Sequence, residues 1–221
     1  MGNRSEAVGP RVPVPNAWWL CLLIGLAILP GLLLADQRLT AIVQGWRSPP
    51  VLMLMEGVTR LGEGAVDIGI FLLVALSGWG RGERRLAIRG LAGAATVAGA
   101  GLLGQVLKNV ACRGRPNGPE PGVFFTNFPC LPAPYAEASF PSGHAITAFA
   151  AAVLLAYWYP RQGGVFLGLA GLVGLSRILL GVHFPSDVLA GALLGSAVAL
   201  VAHASVAAVR RTHAVPDASP E

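Results

Sequence analysis

The sequence predicts an all-α integral membrane protein, a bundle of six transmembrane helices with a short interfacial helix between the first two spans. Of its 221 residues, 54% are hydrophobic and 12% are charged, and the mean hydropathy is +0.62. An ordinary soluble domain carries roughly 25% charged residues. Several segments also approach the ~20 apolar residues that a helix needs to cross a bilayer. These observations favour one helical bundle in a membrane over two soluble domains.

The predicted spans follow one another with short connections and one longer polar insertion. They are residues 17–35, 65–79, 86–107, 142–159, 163–180 and 186–209. Two tryptophans, Trp18 and Trp19, are typical of a membrane interface at the start of the first span. Between the first two spans, VLMLMEGVTRL at residues 51–61 predicts an amphipathic helix that lies at the interface.

The remaining segments define the predicted domain organisation. Residues 1–16 are expected to form a disordered cytoplasmic tail, 17–209 a single transmembrane domain, 109–141 its extracytoplasmic loop, and 210–221 a second cytoplasmic tail. This orientation follows from the positive-inside rule, because nine of the 16 Lys and Arg residues lie on the side of the termini. Both termini are therefore predicted to be cytoplasmic.

The charge of the chain bears on its possible partners, and its cysteine content bears on possible disulfides. The net charge is +5 and the pI is near 9.7, but the basic residues are scattered, so we do not expect a nucleic-acid partner. Three cysteines are too few for a disulfide framework. Cys112 and Cys130 flank the polar insertion and would pair if it faces an oxidising compartment, although two unpaired thiols fit the sequence equally well.

Three polar clusters fall at span ends on the predicted extracytoplasmic face. The first is KNVACRGRP at residues 108–116. Basic side chains near a helix end commonly extend to the membrane–water interface, which would explain this cluster. The second, FPSGHAITAF at 140–149, places Ser142 to cap a helix. The third, SRILLGVHFPSD at 176–187, places Asp187 where a carboxylate suits a helix N-terminus. Each cluster alone has a structural explanation.

Together, the clusters predict a phosphate site. Lys108, Arg115 and Arg177 supply cations, and arginine binds phosphate oxygens bidentately whereas lysine acts as a point charge. Ser142 and Gly143 begin a helix, where backbone N–H groups can approach an anion. The histidines of the second and third clusters would supply a nucleophile and a proton donor.

This pattern resembles the signature of the type 2 phosphatidic acid phosphatase (PAP2) superfamily, integral membrane lipid phosphatases that share a site with vanadium haloperoxidases. The three parts are K-x6-RP at 108–116, PSGH at 141–144 and SR-x5-H-x3-D at 176–187. All three match without substitution and in order. The resemblance extends over about residues 50–205.

The resemblance implies a role for each site residue. His183 would attack phosphorus and form a phosphohistidine, and Asp187 would hold the imidazole in the attacking tautomer. His144 would protonate the leaving oxygen and later activate water. The family needs no metal or other cofactor. The phosphate oxygens would be held by Lys108, Arg115, Ser142, Gly143 and Arg177.

The short chain is similar to compact bacterial members of the family. This implies a multi-pass protein of the bacterial cytoplasmic (inner) membrane, with the active site facing the periplasm or exterior and the bilayer as its environment. The expected substrate is a membrane lipid phosphate, with undecaprenyl pyrophosphate first and phosphatidylglycerophosphate or phosphatidic acid next. The alternatives are a lipid phosphotransferase, a lipid A phosphatase and, less favoured, a non-catalytic phospholipid transporter. The sequence leaves the oligomeric state open.

Overall fold

The computed structural model of the protein describes residues 16–212, and all regular secondary structure in that range is helical. The α-helices are α1 (Asn16–Gln44), α2 (Pro49–Thr59), α3 (Gly64–Gly80), α4 (Arg84–Ala111), α5 (Gly143–Trp158), α6 (Gly163–Leu179) and α7 (Pro185–Thr212). Short 3₁₀ turns are formed by Arg60–Gly62, Tyr135–Glu137 and Pro160–Gln162.

The predicted all-helical architecture is confirmed for the described part of the chain. Each predicted span coincides with one of α1 and α3 to α7, and α2 occupies the place of the predicted interfacial helix. Three helices extend past the predicted boundaries: α1 continues to Gln44 beyond residue 35, α4 takes up residues 109–111 of the predicted loop, and α7 takes up residues 210–212 of the predicted tail. The tail predicted for 1–16 supplies Asn16 to α1, and residues 1–15 and 213–221 lie outside the described residues.

Length and hydropathy identify the helices able to cross a membrane. Within residues 16–212, α1, α4, α6 with its preceding turn, and α7 each qualify as a span. α2 and α3 are bent by 53° at the turn between them and qualify together as a fifth. α5 is apolar but has 16 residues. The count of six spans, and an interfacial position for α2, therefore stay predictions.

Helix α5 lies at the centre of the bundle and packs against α3, α4, α6 and α7. Its Ile146 shares a buried apolar cluster with Val97 of α4. Further along α5, Val153 shares another with Leu200 of α7. Because α5 is held on several sides along its length, its first turn has a fixed position relative to the ends of its neighbours.

Two glycines allow α7 to lie directly against α5. A Cβ atom at Gly191 would be 2.6 Å from the carbonyl oxygen of Ser142, and one at Gly195 would be 2.1 Å from that of Ile146. Their four-residue spacing puts both glycines on one helix face, as in the small-residue contacts common between membrane helices. The first turn of α7 is therefore brought next to the first turn of α5.

A long segment, residues 112–142, covers the end of the bundle where α4 and α6 finish and α5 and α7 begin. A disulfide joins Cys112, directly after α4, to Cys130, which decides the alternative that the sequence left open. The side-chain oxygen of Asn109 accepts a hydrogen bond from the backbone N–H of Ala133 at 3.1 Å. The segment is thus attached to the end of α4 through Cys130 and Ala133.

Candidate active site

His183 and Asp187 lie side by side where α7 begins, with 2% and 0% of their surfaces exposed. The Nδ1 atom of His183 is 3.6 Å from Oδ2 of Asp187, slightly beyond hydrogen-bond distance. Its Nε2 atom faces Nη1 of Arg115 at 3.4 Å. Because a guanidinium only donates, these neighbours favour the tautomer with the proton on Nδ1. The lone pair of Nε2 is then directed toward the cationic side chains.

The charge state of His183 follows from its surroundings. Burial, more than any other cause, lowers the pKa of His183 to about 3. The carboxylate of Asp187 opposes this change, whereas the positive charges of Lys108 and Arg115 add to it. The imidazole is therefore neutral at pH 7, which is the form that can act as a nucleophile.

Asp187 is held in place by groups other than His183. Its Oδ2 atom accepts hydrogen bonds from Oγ of Ser139 at 2.6 Å and from the backbone N–H of Phe184 at 2.8 Å. Its Oδ1 atom accepts one from Nη1 of Arg113 at 2.5 Å. The orientation of the carboxylate is thus fixed from three directions.

Lys108 lies beneath the start of α5. Its Nζ atom donates to the carbonyl oxygens of Ala138 and Pro141, both at 2.7 Å. The same carbonyl of Ala138 accepts a bond from Nη2 of Arg115 at 3.2 Å. A Cβ atom at Gly143 would come within 3.8 Å of the Lys108 side chain. One carbonyl group therefore joins two of the predicted phosphate-binding cations.

The two predicted arginines are also held by oxygen atoms. The guanidinium of Arg115 lies 3.9 Å from the centre of the Tyr135 ring and donates to the carbonyls of Tyr135 at 2.7 Å and Val182 at 3.0 Å. Nη1 of Arg177 donates to Oγ1 of Thr59 at 2.7 Å. The buried Nε atom of Arg177 has no hydrogen-bond partner among the described residues. The side chain of Arg177 thus retains donor capacity.

The three cations are not neutralised by acidic residues. Within residues 16–212, Lys108, Arg115 and Arg177 contact carbonyl or hydroxyl oxygens but form no ion pair. All three are at least nine-tenths buried. Buried like charges are unfavourable unless an anion joins them. Their arrangement therefore suits a multiply charged anion such as phosphate.

The start of α5 adds polar groups to this cluster. Ser142 occupies the N-cap position, but its hydroxyl makes no capping hydrogen bond and is buried without a partner in residues 16–212. An ordinary capping role therefore does not account for this side chain. His144 is half-buried in the first turn, within electrostatic range of the three cations. The structure thus places every predicted site residue at this end of the bundle, while their roles stay predictions.

Comparison with known proteins decides the family. Residues 89–211, more than half of the chain, match the model of the PAP2 superfamily. The chain belongs to the PAP2 superfamily. The resemblance drawn from the three motifs is confirmed by this match.

Two of the proteins that are similar to this chain are phosphatases. A lipid A 1-phosphatase of Rhizobium johnstonii is 31% identical over 210 residues, which cover 89% of this chain and 83% of that protein. An undecaprenyl-diphosphatase of Sulfolobus acidocaldarius is 41% identical over 98 residues, covering 43% of this chain and 44% of that protein. With the family match, these similarities make the chain a PAP2-type lipid phosphatase, a hydrolase.

The fold agrees with this membership. The crystal structure of a transmembrane PAP2-type phosphatidylglycerolphosphate phosphatase from Bacillus subtilis superimposes with a TM-score of 0.64 at 25% identity. The superposition covers 89% of this chain and 98% of that one. The apolar helices and this likeness together make the chain a multi-pass membrane protein of the PAP2 fold.

Sequence reasoning missed three residues near the PAP2 motif residues: Arg113 and Ser139, which contact Asp187, and Asp36, which contacts Arg113. Arg113 lies inside the first cluster, but only its neighbour Arg115 belongs to the motif. Asp36 directly follows the predicted first span, and an acid beside an apolar segment is a functional candidate. No pattern in the sequence marks Ser139 as a residue of the site.

Proposed function

We propose that this PAP2 enzyme hydrolyses a phosphate monoester or a pyrophosphate on a membrane lipid, without a metal, through a phosphohistidine on His183. The observation that carries the proposal is the cluster of three unpaired cations beside Nε2 of a neutral, buried imidazole. The other ring nitrogen of that imidazole faces Asp187. A site of this kind attracts phosphate and supplies a nucleophile in the same place.

In the first step, Nε2 of His183 attacks phosphorus, and the bond from phosphorus to the leaving oxygen breaks. His144, in its protonated form, gives its proton to that oxygen. The three cations bind the remaining phosphoryl oxygens, on which negative charge is spread in the transition state. Asp187 stabilises the positive charge that the imidazole gains when it becomes phosphorylated.

In the second step, water replaces the imidazole. His144, now neutral, accepts a proton from water, whose oxygen attacks phosphorus while the bond to Nε2 of His183 breaks. Inorganic phosphate leaves, and both histidines return to their starting states. The hydroxyl of Ser142 and the backbone N–H groups at the start of α5 are suited to hold the phosphate during both steps.

Undecaprenyl pyrophosphate is the first candidate substrate and the 1-phosphate of lipid A the second. The identity with the Sulfolobus undecaprenyl-diphosphatase supports the first. The similarity to the Rhizobium lipid A 1-phosphatase, which extends over most of both chains, supports the second. Both lipids present a phosphate at the water interface while their chains stay in the bilayer. Phosphatidylglycerophosphate and phosphatidic acid share that chemistry.

We further propose that residues 17–209 form one transmembrane domain in a bacterial inner membrane, with the site facing the periplasm or exterior and both termini cytoplasmic. The early part of α1 and the later part of α7 meet at the other end of the bundle, where the rings of Trp18 and His203 lie 5.8 and 4.3 Å from that of Tyr157. The helix ends and turns there carry Arg81, Arg84, Arg85, Arg89 and Arg161. The positive-inside rule favours the cytoplasm for this end.

The decisive experiment measures phosphate release by purified protein in detergent with EDTA. The substrates are undecaprenyl pyrophosphate, lipid A, phosphatidylglycerophosphate and phosphatidic acid. We expect release that survives EDTA and is abolished in His183→Ala. The matched control is His203→Ala, because this histidine lies on α7 at the opposite end of the bundle from His183 and should be dispensable for catalysis.

Each outcome has a distinct meaning. Mass spectrometry of acid-sensitive phosphopeptides from rapidly quenched protein should find the phosphoryl group on His183. Full activity in His183→Ala would contradict the phosphohistidine, and loss of activity with EDTA would contradict metal independence. Consumption of lipid phosphate with little inorganic phosphate would instead indicate transfer to another lipid. The ranking of rates across the panel would identify the preferred substrate.

A further inference from the structure

We propose that Asp36 and Arg113 are positioning residues for the phosphatase reaction. Arg113 binds the carboxylate of Asp187. Asp36 pairs with Arg113 and offsets part of its positive charge, so that Asp187 can still stabilise a positively charged His183. The inference rests on the proposed function, because it depends on the role given there to Asp187. It assigns a catalytic purpose to α1, which lies outside the family-matched residues 89–211.

The position of Arg113 is fixed on every side. The residue is 2% exposed, and its Nη1 atom donates to Oδ1 of Asp187 at 2.5 Å while its Nη2 atom donates to Oδ2 of Asp36 at 2.7 Å. The rings of Phe124 and Phe184 lie 4.7 and 4.5 Å from the guanidinium carbon. A guanidinium held by two carboxylates and two rings cannot turn toward a substrate phosphate. Its function is therefore directed at Asp187.

Asp36 links this arginine to the first turn of α7. It is 2% exposed, and its Oδ1 atom accepts a hydrogen bond from the backbone N–H of Ser186 at 2.9 Å. Its Oδ2 atom accepts bonds from the Ser186 hydroxyl and from Arg113. Ser186 directly precedes Asp187, so Asp36 fixes both the arginine and the backbone that carries the orienting acid.

The balance of charge explains why a second carboxylate is useful. Arg113 lies between Asp36 and Asp187, whereas the cations that face the substrate have no carboxylate partner among the described residues. Without Asp36, the full charge of Arg113 would act on Asp187. The positively charged imidazole of His183, 3.6 Å from Asp187, would then be stabilised less.

The test is Asp36→Asn, which keeps the shape of the side chain and removes its charge. We expect kcat to fall about tenfold or more with KM within about twofold, because ground-state binding by the three cations is untouched. The control is Thr40→Val, one turn away on the same helix. Thr40 is 5% exposed and its hydroxyl has no partner. Both kinetic constants should stay near the wild-type values in this control.

A double-mutant cycle separates positioning from a purely structural role. In an Asp187→Asn background, Asp36→Asn should cause little further loss of kcat, since Asp36 acts through Asp187. Equal losses of kcat in both backgrounds, or a change in KM alone, would overturn the inference. If Asp36→Asn does not fold, Asp36→Glu, which displaces the charge by one methylene, should still lower kcat with KM unchanged, and unchanged kcat would overturn it.

The same cycle distinguishes the inference from the proposed function. Loss of activity in Asp187→Asn together with full activity in Asp36→Asn would overturn only the inference. Full activity in Asp187→Asn would remove the orienting role of that acid, and the inference would fail with it. Arg113→Lys keeps one charge but loses the two-sided contact, and should therefore lower kcat as well.

Discussion

Burial of a neutral histidine makes the folded state sensitive to acid. The ordinary pKa of a histidine is 6.5, whereas that of folded His183 is about 3. Between these values the unfolded chain binds a proton that the folded chain does not. The free energy of unfolding therefore falls as the pH is lowered from 6.5 toward 3. Above pH 6.5 the imidazole is neutral in both states, so its titration does not lower the free energy of unfolding.

His183→Gln removes the titrating group and should reduce this acid sensitivity. We expect the wild-type Tm to fall more between pH 7 and pH 5 than the Tm of His183→Gln. Thermal unfolding of both proteins in the same detergent at the two pH values provides the measurement. Equal losses of Tm would contradict the lowered pKa of His183.

The residues that gather at the site were largely predictable, whereas their pairing was not. Phosphate chemistry needs particular residue types at fixed spacing, and this pattern selected Lys108, His144 and His183, which lie at one end of the bundle and whose roles stay predictions. Arg113 and Arg115 stand two residues apart in one cluster, yet the first is neutralised by acids and the second is not. The difference depends on Asp36, which lies 77 residues away in sequence. No local pattern contains that information.

At the scale of secondary structure elements, the contact between α5 and α7 sets the distance between the proposed catalytic groups. Gly195→Ala would place a methyl group 2.1 Å from the carbonyl oxygen of Ile146, so the helices must separate. We expect a stability loss of about 1–3 kcal/mol, typical of overpacking, and a larger relative loss of activity because His144 and Asp187 move apart. Phosphate release and Tm measure the two effects.

The control for this helix contact is Gly171→Ala on α6. A Cβ atom at Gly171 would have no heavy atom within 4 Å, apart from its own helix backbone and chain neighbours. This variant should retain activity and stability, since alanine is the better helix former. If Gly195→Ala behaved in the same way as Gly171→Ala, the close contact would not be needed for catalysis.

The disulfide stabilises the segment that carries Arg113 and Arg115. Cys112 and Cys130 close a loop with a sequence separation of 18 residues. In chain-entropy terms, a loop of that size contributes about 3 kcal/mol. Cys112→Ser with Cys130→Ser should therefore lower both Tm and phosphate release, because the same segment supplies the carbonyl groups that hold Lys108.

Two comparisons test this role of the disulfide. Cys21→Ser removes an exposed, unpaired cysteine and should leave both readouts unchanged. A reducing agent should lower the Tm of the wild type but not that of the double serine variant. If the double variant had the wild-type Tm and activity, the disulfide would not be required to order the segment.

Hydropathy predicted the presence of the helices better than the residues at which they end. The first span was predicted to stop at residue 35 because polar residues follow, but α1 continues to Gln44. The buried carboxylate of Asp36 is neutralised by Arg113, which removes the reason to end the helix there. The helix end was therefore decided by a contact with the segment after α4, which hydropathy along α1 cannot reveal.

At the scale of the whole molecule, the two ends of the bundle differ in the use of their positive charges. The site end buries four cations among hydrogen-bond acceptors, namely Lys108, Arg113, Arg115 and Arg177, although it also exposes Arg38, Arg47 and Arg60, whereas the five arginines named at the opposite end are all exposed. Exposed arginines in short turns are typical of the cytoplasmic side. A disulfide at the site end is typical of an oxidising compartment. Both features favour the same orientation.

Single cysteines at the two ends test this orientation in intact bacterial cells. In a Cys21→Ser background that keeps the disulfide, Asn117→Cys introduces a thiol in the exposed part of the segment after α4, and Arg161→Cys introduces one at the opposite end. With the outer envelope permeabilised where present, a membrane-impermeant maleimide should label Asn117→Cys directly but Arg161→Cys only after the inner membrane is opened. Both variants should release phosphate, which verifies their fold. The reverse labelling pattern would place the site in the cytoplasm and exclude substrates presented on the outer leaflet.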